Sequence, residues 1–411
     1  MKYCLIGEKL SHSYSAELHR AMGLKYSLVE IERDKLSEFL ASSGYDGFNV
    51  TIPFKKAVME SLDVLDASAK LSGAVNTVKR EGDRLIGYNT DIGGMRYMIE
   101  RKGVTLSGKC VTILGSGGTA NTAKTLATQS GAKKIYVVSR TGEIDYENCY
   151  DLTDTEIIIN TTPVGMYPDI YRKPIELYKF ENLRAVFDCI YNPFTTALLL
   201  EAKSLGLTCG DGLPMLVRQA VLAENIWNGT KEDPTLTENL ISAMRAKKAN
   251  LVLYGMPSCG KTTLGKIVAK NCGKPFIDLD EYIAEKYGVA PSDIIRERGE
   301  EVFRRMESDA VAEAAATSGK VIALGGGTVL DPENVSKLKM NGVMIYVKRD
   351  LSLLTTEGRP LSEAQGVENL FYKRKDIYES VGDTQTENDG DLNKTAKEIE
   401  KAYETACNKW R

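Results

Sequence analysis

Apolar runs alternate with amphipathic segments through the first hundred residues. The run "KYCLIG" from Lys2 is typical of a buried strand, and "DKLSEFLASS" from Asp34 is typical of a helix with one apolar face. The run "GFNVTIPF" from Gly47 predicts a strand that Pro53 closes. Strands separated by helices indicate an α/β fold with parallel sheets covered on both faces.

The alternation is sharper after Lys109. A strand "CVTILG", a glycine turn, a helix "TANTAKTLATQSG" and a strand "KIYVVSR" form a βαβ unit of about 30 residues. Further strands are predicted at "EIIINTT" and "AVFDCIY". A helix "MLVRQAVLAENIWNG" follows, with apolar residues at helical spacing: Leu216, Ala220, Ala223 and Trp227. This region predicts a Rossmann-like subdomain.

A basic, polar stretch around Lys247 precedes a new strand, "LVLYG", and marks a predicted domain boundary. After it the pattern predicts a glycine loop, a long helix from "SDIIRERGEEVFRRMESDAVAEAAATSG", strands "VIALGGG" and "VMIYV", and a C-terminal helix. We therefore expect three segments, at residues 1–100, 101–247 and 248–411. The helices at the end of the second are expected to return to the first.

Composition narrows the class of protein. A chain of 411 residues is longer than one hydrophobic core usually serves, which predicts more than one domain. A net charge of −3 argues against nucleic acid or an anionic membrane as a partner. No apolar run approaches the roughly 18 residues of a membrane span, and the N-terminal run is too short for a signal peptide. The eight scattered cysteines lack a C-x-x-C pair, which favours reduced thiols and a cytoplasmic location. The two histidines, His12 and His19, exclude a Ser-His-Asp triad later in the chain. No obligate protein partner is inferred.

The glycines of "GSGGTA" lie between a predicted strand and a predicted helix. Gly115, Gly117 and Gly118 would let the backbone approach a pyrophosphate at the helix N-terminus, which predicts a dinucleotide site. The next strand ends at Arg140, where an NAD site usually offers an acidic residue. An arginine there suits the 2′-phosphate of NADP(H); the alternative is a solvated arginine at a strand end.

The stretch "GMPSCGKT" from Gly255 to Thr262 matches the phosphate-binding P-loop pattern. Its backbone amides would bind a nucleoside triphosphate, Lys261 would reach the β- and γ-phosphates, and Thr262 would bind Mg²⁺. Cys259 inside the loop is interpreted as a small residue filling a small slot rather than as a redox switch. The pattern predicts a P-loop NTPase-type parallel α/β domain.

The first 245 residues resemble the shikimate dehydrogenase family. The segments "LSHSYS", "NVTIPFK", "GAVNTV", "GYNTDIGG", "GSGGTA", "SRT", "DCIYNPFTTALL" and "DGLPMLVRQA" occur in that family's order. The resemblance implies NADPH-dependent reduction of 3-dehydroshikimate to shikimate, with Lys55 and Asp91 as the catalytic acid–base pair. It implies substrate contacts from Ser13, Ser15, Thr51, Asn76, Asp91, Tyr191 and Gln219. It implies cofactor contacts from Gly115, Ser116, Gly117, Gly118, Thr119, Ser139, Arg140, Thr141, Cys189 and Gly212.

Several of these residues have structural alternatives. Ser13 and Ser15 are also suited to capping a helix, Asn76 to a turn, and Lys55 to a solvated pair with Lys56. The joint spacing favours the functional interpretation. The opening "GEKLSHSYSA" lacks the prolines usual in the family, and Ile144 stands where a second basic residue often follows the arginine. The preference for NADPH over NADH is therefore expected to be weaker than is usual in the family.

Residues 250–411 resemble the shikimate kinase family in "FIDLDEYI", "GEEVFRRME", "LGGGT", "GRPL" and "RKDIY". The resemblance implies ATP-dependent phosphorylation of the shikimate 3-hydroxyl, with Asp280 accepting the hydroxyl proton. Shikimate would be held by Asp280, Arg304, Gly326 and Arg374. Asp278 would organise Mg²⁺ with Thr262. Nucleotide contacts would come from Ser258, Cys259, Gly260, Lys261, Thr262, Thr263 and, on a lid, Arg359. The alternative for Arg304 is a surface ion pair with Glu300, four residues earlier.

The two halves together predict a bifunctional enzyme acting on small-molecule substrates. Three alternatives stay open: one active half with the other as a regulatory module, a non-metabolic protein using nucleotide loops as switches, and a quinate-preferring dehydrogenase half. The lid region also lacks the extra arginine often found before the R-P-L sequence.

Overall fold

The computed structural model describes residues 1–10, 13–230, 233, 235–355, 366–388 and 390–410. The chain forms two compact units. The first contains Met1–Tyr191 and Thr196–Ile241, and the second contains Asn192–Thr195 and Ser242–Arg411.

The first unit begins with a six-stranded sheet of order β2-β1-β3-β5-β6-β4. Its strands are β1 (Tyr3–Gly7), β2 (Tyr26–Glu30), β3 (Gly47–Val50), β4 (Val64–Leu65), β5 (Thr77–Glu81) and β6 (Arg84–Tyr88). The expectation of a wholly parallel sheet is wrong here, because β5 runs antiparallel to both β3 and β6. Gly82, with φ +62°, turns β5 into β6 through a two-residue hairpin.

A second sheet of the same unit is wholly parallel, with the order β11-β10-β9-β7-β8. Its strands are β7 (Cys110–Leu114), β8 (Lys134–Val138), β9 (Ile157–Asn160), β10 (Ala185–Asp188) and β11 (Thr208–Gly210). The predicted strand–turn–helix–strand unit is confirmed by β7, the helix Gly118–Gln129 and β8.

The helices of the first unit are α1 (Ser15–Ala21), α2 (Leu36–Ser42), α3 (Phe54–Ala57), α4 (Ala67–Ser72), α5 (Asp91–Glu100), α6 (Gly118–Gln129), α7 (Ala197–Ser204), α8 (Leu213–Asn228) and the start of α9 (Leu236–Lys248). The helix α8 packs against the first sheet through Trp227, whose ring stacks on Tyr3 with centroids 4.6 Å apart. The Trp227 indole N–H donates to the Val78 carbonyl at 2.9 Å. A Cβ atom on Gly47 would lie 2.5 Å from that indole nitrogen, so only glycine fits beneath it.

The second unit contains a parallel sheet of order β13-β14-β12-β15-β16. Its strands are β12 (Asn250–Tyr254), β13 (Phe276–Asp278), β14 (Val321–Ala323), β15 (Gly342–Lys348) and β16 (Thr384–Glu387). The helices are α10 (Lys261–Cys272), α11 (Leu279–Tyr287), α12 (Pro291–Arg298), α13 (Glu300–Ala316), α14 (Pro332–Asn341), α15 (Val367–Val381) and α16 (Leu392–Lys409).

The long helix expected after Ser292 is in fact two helices. Gly299, with φ +88°, ends α12 and starts α13, because that backbone conformation interrupts a right-handed helix. The break orients the start of α13, which carries Arg304, independently of α12. No helix in the described part of the chain combines the length and apolar character needed to cross a membrane.

Candidate active sites

Lys55 and Asp91 meet in the first unit. Lys55 lies on the short helix α3, directly after the cis Ile52–Pro53 bond, and Asp91 begins α5. The Lys55 ammonium lies 2.6 Å from Asp91 Oδ2, and both side chains are largely buried. A charge-assisted contact of this length fixes the direction of the ammonium protons. The pair can therefore exchange a proton with a substrate oxygen placed beside Lys55.

Asn76 fixes the other side of Asp91. Its side-chain amide donates to Asp91 Oδ1 at 2.8 Å and lies 3.4 Å from Gln219 Oε1. The side-chain oxygen of Asn76, Oδ1, accepts from the Thr90 backbone N–H at 2.7 Å. Asn76 is thus part of a buried polar network rather than only a turn residue. Thr90, which no sequence pattern singled out, belongs to the same network.

The other predicted substrate residues lie on neighbouring elements. Ser13 accepts from the Ser15 backbone N–H at 3.2 Å at the start of α1. Tyr14, between them, packs its ring against Tyr191 with centroids 5.1 Å apart. Burial, and then Tyr14, raise the pKa of Tyr191 to about 12, so its phenol stays protonated. Within the described residues, no hydrogen bond joins Ser13, Ser15, Thr51 or Tyr191 to the Lys55–Asp91 pair.

Cys189 and Gly212 also meet near the Lys55–Asp91 pair. Burial raises the pKa of the Cys189 thiol, with Asp91 raising it further and Lys55 opposing the change. A Cβ atom on Gly212 would lie 2.2 Å from the Cys189 carbonyl oxygen. Gly212 therefore lets the chain before α8 approach the end of β10 closely.

The dinucleotide loop joins β7 to α6. Gly115 has φ +107°, and a Cβ atom there would lie 2.8 Å from Thr161 Oγ1. Gly117 and Gly118, in contrast, face open space, with no other atom within 4 Å of a Cβ position. Ser116 is exposed and Thr119 half-buried beside them. The open side of the loop at the N-terminus of α6 fits a dinucleotide pyrophosphate.

Arg140 lies at the end of β8, with its side chain exposed. Ser139 is buried before it and Thr141 is exposed after it. Tyr146 is close enough that Arg140 lowers its pKa, although burial has the larger effect and raises it. An exposed guanidinium at this strand end fits a 2′-phosphate.

The second glycine loop joins β12 to α10. The Lys261 ammonium donates to the carbonyls of Gly255 and Met256, at 3.1 and 2.9 Å. The Thr262 hydroxyl donates to Asp278 Oδ2 at 2.5 Å. Mg²⁺ is usually held by one or two protein oxygens together with phosphates and waters, and this pair fits that donor set. Cys259 is fully buried, as expected of a residue filling a small slot.

The kinase candidates line one cavity of about 450 Å³. The cavity contains nearly all of the predicted residues of this half: Ser258, Gly260, Lys261, Thr262, Thr263, Asp278, Asp280, Arg304, Gly326 and Arg374. Cys259, within the loop itself, is buried, and Arg359 lies outside the described residues.

Arg304 occupies the cavity wall on α13. It pairs with Glu300, as the surface alternative predicted, and also with Glu307, whose Oε2 lies 2.7 Å from Nη1. Glu307 is only 1% exposed, and its other oxygen accepts from Thr328 at 2.6 Å. A Cβ atom on Gly327 would lie 2.3 Å from the Arg304 guanidinium. Glu307 was not among the predicted site residues, although it follows Arg304 by one helical turn in the same motif.

Arg374 and Tyr378, one turn apart on α15, both donate to the Gly326 carbonyl, Arg374 at 3.0 Å. They hold the glycine turn against the cavity. Asp280 faces the same space from the first turn of α11, where it remains accessible to solvent. Protein around the carboxylate raises its pKa to about 6, and the charge of Asp278 adds to this effect. A carboxylate with such a pKa is suited to accept a proton near neutral pH.

The folds and sites define two α/β enzymes in one chain, one with a dinucleotide loop and the other with a triphosphate loop. Comparison with known proteins agrees. A shikimate dehydrogenase (NADP(+)) from Clostridium perfringens is 38% identical over 266 residues, which span 59% of this chain and 98% of the relative. The family model of the shikimate dehydrogenase substrate binding domain matches residues 5–78. The chain belongs to the shikimate dehydrogenase family.

Solved structures support the same assignment. A chorismate mutase/shikimate 5-dehydrogenase fusion protein from Clostridium acetobutylicum is 35% identical with a TM-score of 0.57, covering 60% of this chain and 97% of that one. Shikimate 5-dehydrogenase from Thermus thermophilus, in complex with NADP(H) and shikimate, is 28% identical with a TM-score of 0.52, covering 58% and 98%. The shikimate kinase family model matches residues 257–404. The chain thus joins two shikimate-pathway enzymes, one using NADP and the other ATP.

Proposed function

We propose that the chain catalyses two consecutive reactions, the reduction of 3-dehydroshikimate to shikimate and the phosphorylation of shikimate to shikimate 3-phosphate. The observation that carries the proposal is that each unit contains both an acid–base group and a nucleotide loop of its own. In the second unit Lys261, Asp280, Arg304 and Arg374 line a single cavity. We also propose that Mg²⁺ accompanies ATP and that the reactions take place in the cytoplasm.

In the first reaction Lys55 donates the proton. NADPH, when bound at the loop before α6, supplies the hydride for the ketone. The Lys55 ammonium delivers a proton to the ketone oxygen, and Asp91 keeps that ammonium in place through its 2.6 Å contact. Asn76 keeps Asp91 oriented from the other side. We propose that Ser13, Ser15, Thr51, Tyr191 and Gln219 bind the hydroxyl and carboxylate groups of the substrate.

In the second reaction Asp280 accepts the proton of the attacking hydroxyl. ATP with Mg²⁺, when bound, supplies the phosphoryl group. Arg304 and Arg374 provide two cations for the substrate carboxylate, with the Gly326 turn between them. Lys261 donates to loop carbonyls in this structure, so it must leave them to reach the phosphates. Thr262 and Asp278 would hold Mg²⁺.

One reaction vessel tests both activities. The purified chain is given 3-dehydroshikimate and NADPH, then Mg·ATP, and the products are identified by mass. Loss of NADPH followed by appearance of shikimate 3-phosphate is expected. Lys55→Ala should remove the first reaction while shikimate added to the vessel is still phosphorylated, and Lys261→Ala should remove only the second reaction.

Other outcomes would contradict parts of the proposal. Shikimate as the final product would mean that the second unit acts as a regulatory module. Nucleotide binding without turnover of either substrate would reject both activities. A faster reaction with quinate than with shikimate would correct the substrate of the first unit.

A further inference from the structure

Two side chains from outside the P-loop motif hold the outer side of the phosphate loop. Arg349, directly after β15, donates from Nη1 to the Ser258 carbonyl at 3.2 Å. Asn388, directly after β16, donates from Nδ2 to the Cys259 carbonyl at 2.8 Å. These are consecutive carbonyls of the loop, so two neighbouring peptide groups are fixed from two neighbouring strand ends.

The held segment has an unfavourable backbone conformation. Ser258 has φ +66° and is, among the described residues, the only residue other than glycine with a positive φ. That left-handed conformation is unfavourable for a side chain with a Cβ atom. The Ser258 hydroxyl also contacts Thr355, at 2.7 Å from its carbonyl and 2.9 Å from its hydroxyl. Contacts to both the main chain and the side chain of Ser258 therefore offset its strain.

The direction of the held carbonyls determines where the amides point. In a trans peptide the N–H lies opposite the C=O, so holding the Cys259 carbonyl outward turns the Gly260 N–H to the other side. Gly260 lines the cavity beside Lys261. Asn388 packs directly on this residue, since a Cβ atom on Gly260 would lie 2.5 Å from the Asn388 amide nitrogen. Backbone amides presented in this way form anion-binding concavities.

Arg349 also brings a positive charge to the cavity, whose wall it forms together with Thr355. Its Nε is buried and has no hydrogen-bond partner in the described part of the chain. A guanidinium beside the loop that binds phosphates increases the local attraction for a ligand with several negative charges.

We propose that Arg349 and Asn388 are positioning residues for the triphosphate. They hold the outer carbonyls of Ser258 and Cys259 so that the loop keeps its conformation and presents the Gly260 N–H to the phosphates before the nucleotide arrives. This inference rests on the proposed kinase function. Arg349 and Asn388 would then contribute to binding of the phosphate chain of the nucleotide rather than to binding of its base.

The test measures binding to the full chain by calorimetry, with Mg·ATP and Mg·tripolyphosphate as probes. Arg349→Gln removes a hydrogen bond from a charged donor and should lower the affinity for both probes about tenfold to a hundredfold. Asn388→Leu removes a hydrogen bond from an uncharged donor and should lower the affinity for both probes about three- to tenfold. Arg349→Lys keeps a charged donor and should recover most of the affinity. Shikimate affinity should change less than about twofold in every variant.

Controls separate this role from general effects. Arg305→Gln removes one positive charge from an exposed position on α13, where Arg305 lies 3.7 Å from the exposed Glu301 carboxylate, and should leave both affinities unchanged. The dehydrogenase rate of each variant reports an intact chain. Adding Ser258→Gly to Arg349→Gln should raise the affinity for both probes again by about fivefold, because glycine adopts the left-handed conformation without strain. Asn388→Ser serves if Asn388→Leu does not fold.

Each result has a distinct meaning. Tripolyphosphate binding at the wild-type level in both Arg349→Gln and Asn388→Leu would overturn the inference alone. So would an equal loss in Arg305→Gln, or a loss of ATP affinity with none for tripolyphosphate. A wild-type chain that binds neither probe would overturn the proposed kinase function and this inference together.

Discussion

The side-chain amide of Asn76 donates to one oxygen of Asp91 while Lys55 holds the other. Asp91 is therefore clamped from both sides, and its carboxylate cannot rotate without breaking a short contact. The arrangement couples Asn76, which carries no charge, to the proton transfer proposed for Lys55.

Replacing Asn76 should slow the reduction through Asp91. We expect Asn76→Ala to lower the dehydrogenase kcat by about tenfold to a hundredfold, because the acid–base pair loses its fixed orientation. Asp91→Ala should cost more, and the double variant should cost little beyond Asp91→Ala alone. Steady-state rates with 3-dehydroshikimate measure this, with the kinase rate of the same chain as the control. Additive losses would show that Asn76 acts independently of Asp91.

Gly115 should be needed for NADPH binding. Gly115→Ala adds a Cβ atom 2.8 Å from Thr161 Oγ1 at φ +107°, so the loop must move. We expect KM for NADPH to rise by about tenfold or more, the effect of roughly 1–2 kcal/mol of strain plus the clash. Gly131→Ala is the control for a positive φ without a close neighbour, because its φ is +72° and the nearest atom to its Cβ position, Ser107 Oγ, is 3.8 Å away. Equal KM changes in both variants would contradict the steric argument.

Arg140 should set the preference for NADPH. Arg140→Ser removes the exposed guanidinium at the end of β8 and should raise KM for NADPH by about tenfold to a hundredfold. KM for NADH should stay within about twofold, since NADH has no 2′-phosphate to lose a partner. Comparing the two cofactors on one preparation gives the answer. A parallel loss for both would place Arg140 elsewhere in the mechanism.

The kinase reaction should depend on the ionisation of Asp280. Its pKa is raised to about 6, and a base works only when deprotonated, so kcat/KM for shikimate should fall as the pH drops through about 6. Glu307→Gln removes a negative charge that raises this pKa, so the fall should move to lower pH. Rates between about pH 5 and 8 measure it. An unshifted fall in Glu307→Gln would point to another titrating group.

His19 should make the first unit less stable in mild acid. Its ring is fully buried against Tyr26, and neither nitrogen has a hydrogen-bond partner in the described residues, although Asn49 is close enough to oppose the shift slightly. Burial lowers the pKa of His19 to about 3. The unfolded chain therefore binds a proton as the pH falls below about 6.5 while the folded chain does not. Stability is fully present above that pH and decreases below it.

Urea unfolding at about pH 7.5 and 5.5, followed by fluorescence, tests this effect. Trp227 lies 5.4 Å from His19 between ring centroids, and Trp410→Phe leaves it as the only tryptophan. His19→Phe in that background should show a smaller loss of stability on acidification. The same loss with either side chain would exclude His19 as its source.

Local sequence patterns predicted the strands, helices and glycine loops whose formation depends on neighbouring residues. The strand before Gly115 and the helix after it follow from hydrophobic period and glycine placement, and both loops formed where their motifs lie. Side-chain partners across the fold were beyond such patterns. The contact between Asn388 and the Cys259 carbonyl joins residues 129 positions apart, and no local period encodes it. The break at Gly299 was missed because acidic and basic residues continue the helical pattern on both sides of it.

The packing of Trp227 against Tyr3 and Gly47 has a consequence for synthesis on the ribosome. The first sheet is complete in sequence by Tyr88, yet one of its faces is closed by a side chain translated almost 140 residues later. Nascent chains must therefore leave the apolar surface that Trp227 covers exposed while the whole dinucleotide-binding sheet emerges. During that interval the growing polypeptide is a natural client for a chaperone.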